Sequence, residues 1–322
     1  MSLGALSEEA QWVTLDPESP EHRAVVEACG FFDLGAPGRT WRLPGGFANH
    51  NIVAESTDGT RTLLKLAVEH TLREVELELR YVGVLADAGA VVAPYLASAE
   101  RGAVYAGARY PVTAQRFIDA PSPASGDLTC GRAGELLARI HQVTAAGLPP
   151  RRHWLLPDEI RRRAAALQRA RLPEATPMLA ACSELLAFEY DRLPLAVTRG
   201  DVHEGNMLAP DGGGLMLIDW EEVSLAPALL DIGSAVLNLG LDDEGQVITT
   251  RHESLMRAYQ AVRPLCLAET RRLAMAVRYT ALATGLWVLH RFGLERPAPH
   301  HLEALRACWD YNPRPLALAL GP

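Results

Sequence analysis

The sequence predicts an α+β protein of two lobes, a small antiparallel β-sheet lobe followed by a larger, mainly helical one. Three observations carry that prediction. Apolar and β-branched runs joined by turn residues are concentrated before about residue 118, helical spacing dominates afterwards, and the Pro/Ser/Gly stretch DAPSPASGD, 119–127, lies between them. The expected division is residues 1–118 and 119–322. At 322 residues the chain is long for one core, and 48% apolar with 22% charged residues is a globular composition.

In chain order, the first forty residues mix short helical signals with turn residues and end in Gly35-Ala36-Pro37-Gly38. WRLPGGFANHNIVAES, a turn at Asp58-Gly59 and TRTLLKLAV read as an antiparallel hairpin and its continuation. Leu72 to Ala88 is helical, with Leu72, Val75, Leu79, Val82 and Leu85 as one stripe, and Gly89 ends it. Val91 to Pro94 and Tyr110 to Ile118 read as extended. Helices are expected over Leu128–Val143, Asp158–Arg171 and Pro177–Asp191, and again after Asp231. Between them, Leu195–Leu208 and Leu215–Ile218 flank Asp211-Gly-Gly-Gly214 and read as a loop and a small hairpin set into the helical lobe.

Composition excludes several classes of function. A net charge of −8 argues against a nucleic-acid surface. The five cysteines, Cys29, Cys130, Cys182, Cys266 and Cys308, stand singly, without a CxxC pair, as expected of reduced thiols. MSLGALSEEAQW has neither a basic nor an apolar region of a signal peptide. The apolar segment LAMAVRYTALATGLWVLHRF carries Arg278 and His290 and reads as a buried helix rather than a membrane span. A cytoplasmic protein without nucleic-acid or membrane partners is the expectation.

The polar residues point to phosphoryl transfer. That chemistry needs a carboxylate to take the proton of the attacking hydroxyl, hard oxygen ligands for Mg²⁺, and a lysine to reach the phosphates. Asp201-x-x-x-x-Asn206, followed by Leu-Ile-Asp219-Trp, supplies these groups in the order of a kinase catalytic loop and its metal-binding aspartate. Asp201 is the expected catalytic base, Asn206 and Asp219 the expected metal ligands, and Lys65 in TLLKLAV the phosphate lysine.

RGDVHEGNML and LMLIDWEEVSLAPALLDIGSAV, together with LPGGFANHNIV and LLARIH, resemble the motifs of the aminoglycoside phosphotransferase and choline kinase-like superfamily. The resemblance runs from about Trp41 to about Leu237. It implies the two-lobed protein-kinase-like fold, with ATP and Mg²⁺ as cofactors and a small-molecule alcohol as acceptor. The segments GGFANHNIV and LLDIGSAVLNL lean toward its homoserine-kinase-like branch. The family's usual histidine is replaced by Arg199, which removes no group the chemistry needs. The first hairpin lacks a full GxGxxG, so Gly45, Gly46 and Asn49 are expected to cover the phosphates.

The family also places a glutamate after the lysine strand to hold that lysine. Glu74 is the best motif match, and Glu78, one turn on and nearer the apolar stripe, is the alternative. The adenine is expected beside Gln115, Phe117 and Ile118, held by backbone. Asp231 resembles the carboxylate that caps the family's catalytic loop, a helix N-cap being its other reading. His141 and His203 lack ligand spacing and read as structural. The expected function is an ATP- and Mg²⁺-dependent small-molecule kinase. A nucleotide-binding module without phosphotransfer is the alternative.

Overall fold

The computed structural model describes residues 12–44, 49–144, 146–211, 214–242 and 246–297. Gly45, Gly46 and Cys308 lie outside them. The chain forms two compact units, and one is discontinuous. The first comprises residues 12–123 with Gly205–Glu221; the second comprises Ala124–Glu204 with 222–297.

The first unit is built on strands β1 (Val13–Thr14), β2 (Arg39–Arg42), β3 (Asn49–Glu55), β4 (Arg61–Ala67), β5 (Tyr95–Leu96), β6 (Tyr105–Ala106) and β7 (Pro111–Arg116), with helices α1 (Pro20–Phe31) and α2 (Leu72–Asp87). The sheet order is β1-β2-β3-β4-β7-β5, with β6 also on β7. Its pairings are antiparallel, and β3 meets β4 from Asn49↔Ala67 to Glu55↔Arg61, closing the hairpin read at Asp58-Gly59. Period-two alternation sorts the faces. Ile52 and Ala54, Leu64 and Leu66, and Val112 and Ala114 form a core with Val25, Ala28, Cys29 and Phe32 of α1 and the residue after it. Lys65 points to the opposite face, with Asn51 and Thr113 as its cross-strand neighbours.

Two short strands complete this unit, β9 (Met207–Leu208) and β10 (Met216–Leu217), paired as an antiparallel hairpin. They join it through a parallel bridge from Leu217 to Val92 and through Ala209 N–H, which donates to Pro121 O at 2.8 Å.

The second unit is helical: α3 (Asp127–His141), α4 (Pro157–Ala170), α5 (Thr176–Ala180), α6 (Cys182–Leu186), α7 (Ala228–Leu239), α8 (Thr249–Val262) and α9 (Leu267–Leu289), the last running into a π-helical turn at His290–Glu295. The helix expected over Pro177–Asp191 is instead two short helices and a 3₁₀ turn. Bonds to the third residue back, such as Glu184 N–H to Ala181 O and Phe188 N–H to Leu185 O, tighten the chain there. That tightening turns Met178, Leu185, Phe188 and Tyr190 all inward. Two strands, β8 (Leu195–Thr198) and β11 (Ser224–Pro227), pair antiparallel from Thr198↔Ser224 to Leu195↔Pro227. No helix among the described residues is long and apolar enough to cross a membrane.

Candidate active site

On the open face of the first unit's sheet, one ammonium is surrounded by three carboxylates. Lys65 Nζ lies 2.6 Å from Asp219 Oδ1, 3.4 Å from Glu221 Oε2 and 3.9 Å from Glu78 Oε1. Burial by itself disfavours the charged form, but Asp219, Glu78 and Glu221 outweigh it and hold the Lys65 pKa well above its ordinary value. Tyr95, across β7 from this face, donates its hydroxyl to Glu78 at 2.9 Å. Burial, then the Glu78 charge, pushes the Tyr95 hydroxyl pKa up, so it stays a donor.

Glu78 is the glutamate that the structure brings to Lys65, and the preference for Glu74 is corrected. Glu74 closes a capping box: its carboxylate accepts from Thr71 N–H at 2.7 Å and Thr71 Oγ1 at 2.8 Å, while its own N–H donates back to Thr71. It is exposed, whereas Glu78 is buried on the face shared with Val75, Tyr81, Val82 and Leu85. The motif match failed because Thr-x-x-Glu is also the signature of a helix start.

Asp219 has φ +59°, a left-handed backbone that a residue with a side chain adopts at a cost of about 1–3 kcal/mol. The fully buried Trp220 beside it anchors the peptide. Asn206 is buried, and its carbonyl accepts from Ile218 N–H at 3.0 Å, so the β9–β10 hairpin sets Asn206 and Asp219 at neighbouring strand ends. Asn49 begins β3, is buried, and donates its Nδ2 to Glu221; its Oδ1 has no hydrogen-bond partner among the described residues. Gln115 is buried on β7, paired in register with Leu63 and Tyr95. Phe117 sets its ring edge-on to Trp12 at 5.6 Å and donates its N–H to Arg61 O; Ile118 O accepts from Ala120 N–H at 3.1 Å.

Asp201 belongs to the second unit, on a loop fixed by buried bonds. Asp231 accepts from Arg199 N–H at 2.7 Å and Gly200 N–H at 2.8 Å, and from His141 Nε2 at 3.0 Å. Behind it, Arg263 donates to Tyr259 and Tyr259 to His141 Nδ1, consistent with the proton of that ring on Nε2. Burial raises the Asp231 pKa, but His141 and the two backbone donors reverse the sign and leave it lowered. Gly200, at φ +91°, cannot be replaced: a Cβ there would sit 2.6 Å from Glu222 O. The Asp201 side chain is 41% exposed, 3.3 Å from His203 Nε2 and 3.6 Å from Arg199 Nη1.

Asp231 is therefore the cap of this loop and not a helix N-cap; Pro227 holds the N-cap position of α7. Ser234 and Asn238 were not foreseen. Ser234 Oγ accepts from Val202 N–H at 3.1 Å and Asn238 Nδ2 donates to Val202 O at 3.0 Å. Their spacing from Asp231, three and then four residues, is the available signal: one polar stripe along α7. Trp154, also missed, donates its indole N–H to Gly200 O at 2.8 Å.

His141 is not available as a metal ligand, since both its ring nitrogens are bonded within the protein. No group of three or more His, Cys, Asp or Glu among the described residues is gathered to hold a metal. Asp219 and Asn206 offer one carboxylate and one amide. That set suits Mg²⁺, which keeps waters and phosphate oxygens for its remaining positions.

Residues 40–265 match the phosphotransferase enzyme family. The chain is 26% identical over 283 residues to a homoserine kinase of Polaromonas naphthalenivorans (strain CJ2), covering 83% of this chain and 87% of that one. Its fold is similar to amicoumacin kinase hAmiN, solved with AMP-PNP, Ca²⁺ and Ami, at TM-score 0.72 and 14% identity over 91% of this chain and 92% of that one. A microcompartment-associated aminopropanol kinase matches at TM-score 0.72 and 17% identity, over 92% of this chain and 98% of its own. The fold is thus the α+β protein-kinase-like fold of these enzymes. With the family matched over most of its length, the chain belongs to the phosphotransferase enzyme family.

Proposed function

We propose that the protein is an ATP- and Mg²⁺-dependent kinase that transfers the γ-phosphoryl group to the hydroxyl of a small alcohol in the cytoplasm. The observation that carries this reading is Lys65, ion-paired to Asp219 and backed by Glu78 and Tyr95. A buried lysine facing three carboxylates is a fixed positive charge in an otherwise acidic setting. It is suited to hold the phosphates of a nucleotide while Asp219 turns to a cation.

Asp201 accepts the proton of the acceptor hydroxyl as its oxygen bonds to the γ-phosphorus and ADP leaves. The Asp231 cap keeps the loop backbone fixed, so Asp201 needs no rearrangement before it works. Asn206 and Asp219 would hold Mg²⁺, which when bound neutralises charge on the phosphate oxygens. Gln115 and the backbone of Phe117 and Ile118 flank the adenine, and the family resemblance assigns Asn49, with Gly45 and Gly46, to the phosphates.

The test is Asp201→Ala, assayed by ADP release against a panel of amino alcohols, choline, sugars and aminoglycosides. Turnover is expected to fall by about 10²–10⁴-fold with ATP affinity retained. Wild-type turnover in that variant would remove Asp201 from its role. ATP binding without ADP release on any acceptor would identify a nucleotide-binding module instead.

A further inference from the structure

Helix α4 carries three consecutive arginines, and their pairing runs opposite to what burial demands. Arg161 and Arg162 are exposed, and each has a carboxylate one turn back: Asp158 at 2.6 Å and Glu159 at 2.7 Å. Arg163, turned inward and 6% exposed, has no carboxylate within 4.0 Å among the described residues. Its one hydrogen bond there is from Nη1 to Trp154 O at 2.7 Å, and its guanidinium lies 6.0 Å from the Trp154 ring centroid. A buried charge without a counter-ion is costly, whereas surface pairs contribute little. Burial accordingly pulls the Arg163 pKa down, with Glu159, Glu222 and Glu295 acting only from beyond pairing distance.

An imidazole donor on the other side of Trp154 lacks an acceptor among the described residues. His153 is 1% exposed and packs parallel to Trp154, with ring centroids 6.2 Å apart. Its Nδ1 accepts from Leu155 N–H at 3.0 Å, which leaves the ring proton on Nε2; that atom is buried, with no partner among the described residues. Residues 153–163 thus present a buried guanidinium without a carboxylate partner and a buried imidazole N–H without an acceptor among the described residues. Between them stands Trp154, whose indole is bonded to Gly200 O, the peptide just before Asp201.

Resting on the kinase reading above, we propose that Arg163, with His153, binds an anionic group of the phosphoryl acceptor, which makes the acceptor a carboxylate-bearing alcohol such as a hydroxy amino acid. A carboxylate supplies what the neighbourhood lacks: a negative charge for the guanidinium fork and a lone pair for the imidazole N–H. The tie from Trp154 to Gly200 links this subsite to the loop that carries the base. Acceptors that are purely cationic leave the buried arginine unpaired and are rejected on that account.

The experiment compares L-homoserine with 3-aminopropan-1-ol, two alcohols that differ only by the carboxylate, using ADP release by wild type, Arg163→Met and Arg163→Lys. Wild type is expected to prefer L-homoserine. Arg163→Met is expected to lose on the order of 10²-fold in kcat/KM for it, with Arg163→Lys in between. The KM for ATP should not move, and the rate with 3-aminopropan-1-ol should not fall in Arg163→Met, since the unpaired charge that rejects it is gone. Should Arg163→Met fail to fold, Arg163→Lys and a wild-type melting temperature raised by L-homoserine but not by 3-aminopropan-1-ol carry the same decision. Turnover of 3-aminopropan-1-ol but not of L-homoserine would overturn the carboxylate subsite and leave the kinase reading standing. An Arg163→Met variant with a raised KM for ATP and an unchanged one for L-homoserine would assign the arginine to nucleotide phosphate and overturn it too. No ADP release with any alcohol would defeat both readings.

Discussion

At the residue scale, Lys65 and its glutamate show how a motif can be assigned one turn out of place. Lys65 was legible because a lysine amid an alternating strand ahead of the catalytic loop has few other uses. Glu74 and Glu78 lie on one side of α2, and the sequence supports both. Thr71 decides the matter, because its capping box takes the Glu74 carboxylate for the helix end and leaves Glu78 to the buried face. Glu78→Gln should therefore raise the KM for ATP by about 10-fold, the loss of one charge-assisted contact. Glu74→Ala should leave the kinetics unchanged and lower stability by about 1 kcal/mol. Steady-state kinetics beside urea denaturation of both variants checks this. A larger kinetic defect in Glu74→Ala would restore the first assignment.

At the element scale, α7 does the work of a bracket. Its apolar faces are buried, and Asp231, Ser234 and Asn238 form one stripe bonded to the backbone of Arg199, Gly200 and Val202. Asn238→Ala should cost about 1 kcal/mol in stability, the worth of one hydrogen bond, and should lower kcat more than it changes the KM for ATP. Melting curves together with kinetics measure both. An unchanged kcat would mean that the loop is held without this end of the stripe. The stripe's spacing was present in LLDIGSAVLNL, but its target was not. A backbone N–H or carbonyl leaves no mark on the sequence of the loop that offers it.

At the scale of the whole molecule, stability should fall on mild acidification. Burial pushes His153 and His252 down to about 4, against about 6.5 for an unfolded histidine. Between those values the unfolded chain binds protons that the folded chain refuses. The contribution is complete above about pH 6.5 and is lost as pH falls toward 4, with a slope on the order of 1.4 kcal/mol per pH unit for each group. Urea denaturation of His252→Leu across that range should show a shallower slope than wild type; parallel slopes would refute the assignment. The sequence by itself determined the order of sheet and helices and the family, and it marked Lys65, Asp201, Asn206 and Asp219 as candidates. Those features follow from local periodicity and from spacing along the chain, which the covalent sequence carries whole. Only the tertiary structure decided that Gly205–Glu221 returns to the sheet-bearing unit, that Glu78 faces Lys65, that Asp231 caps the loop and that Arg163 is buried without a counter-ion. Each of these depends on which side chains and peptide groups meet from distant parts of the chain, and packing chooses among partners that the sequence leaves equivalent.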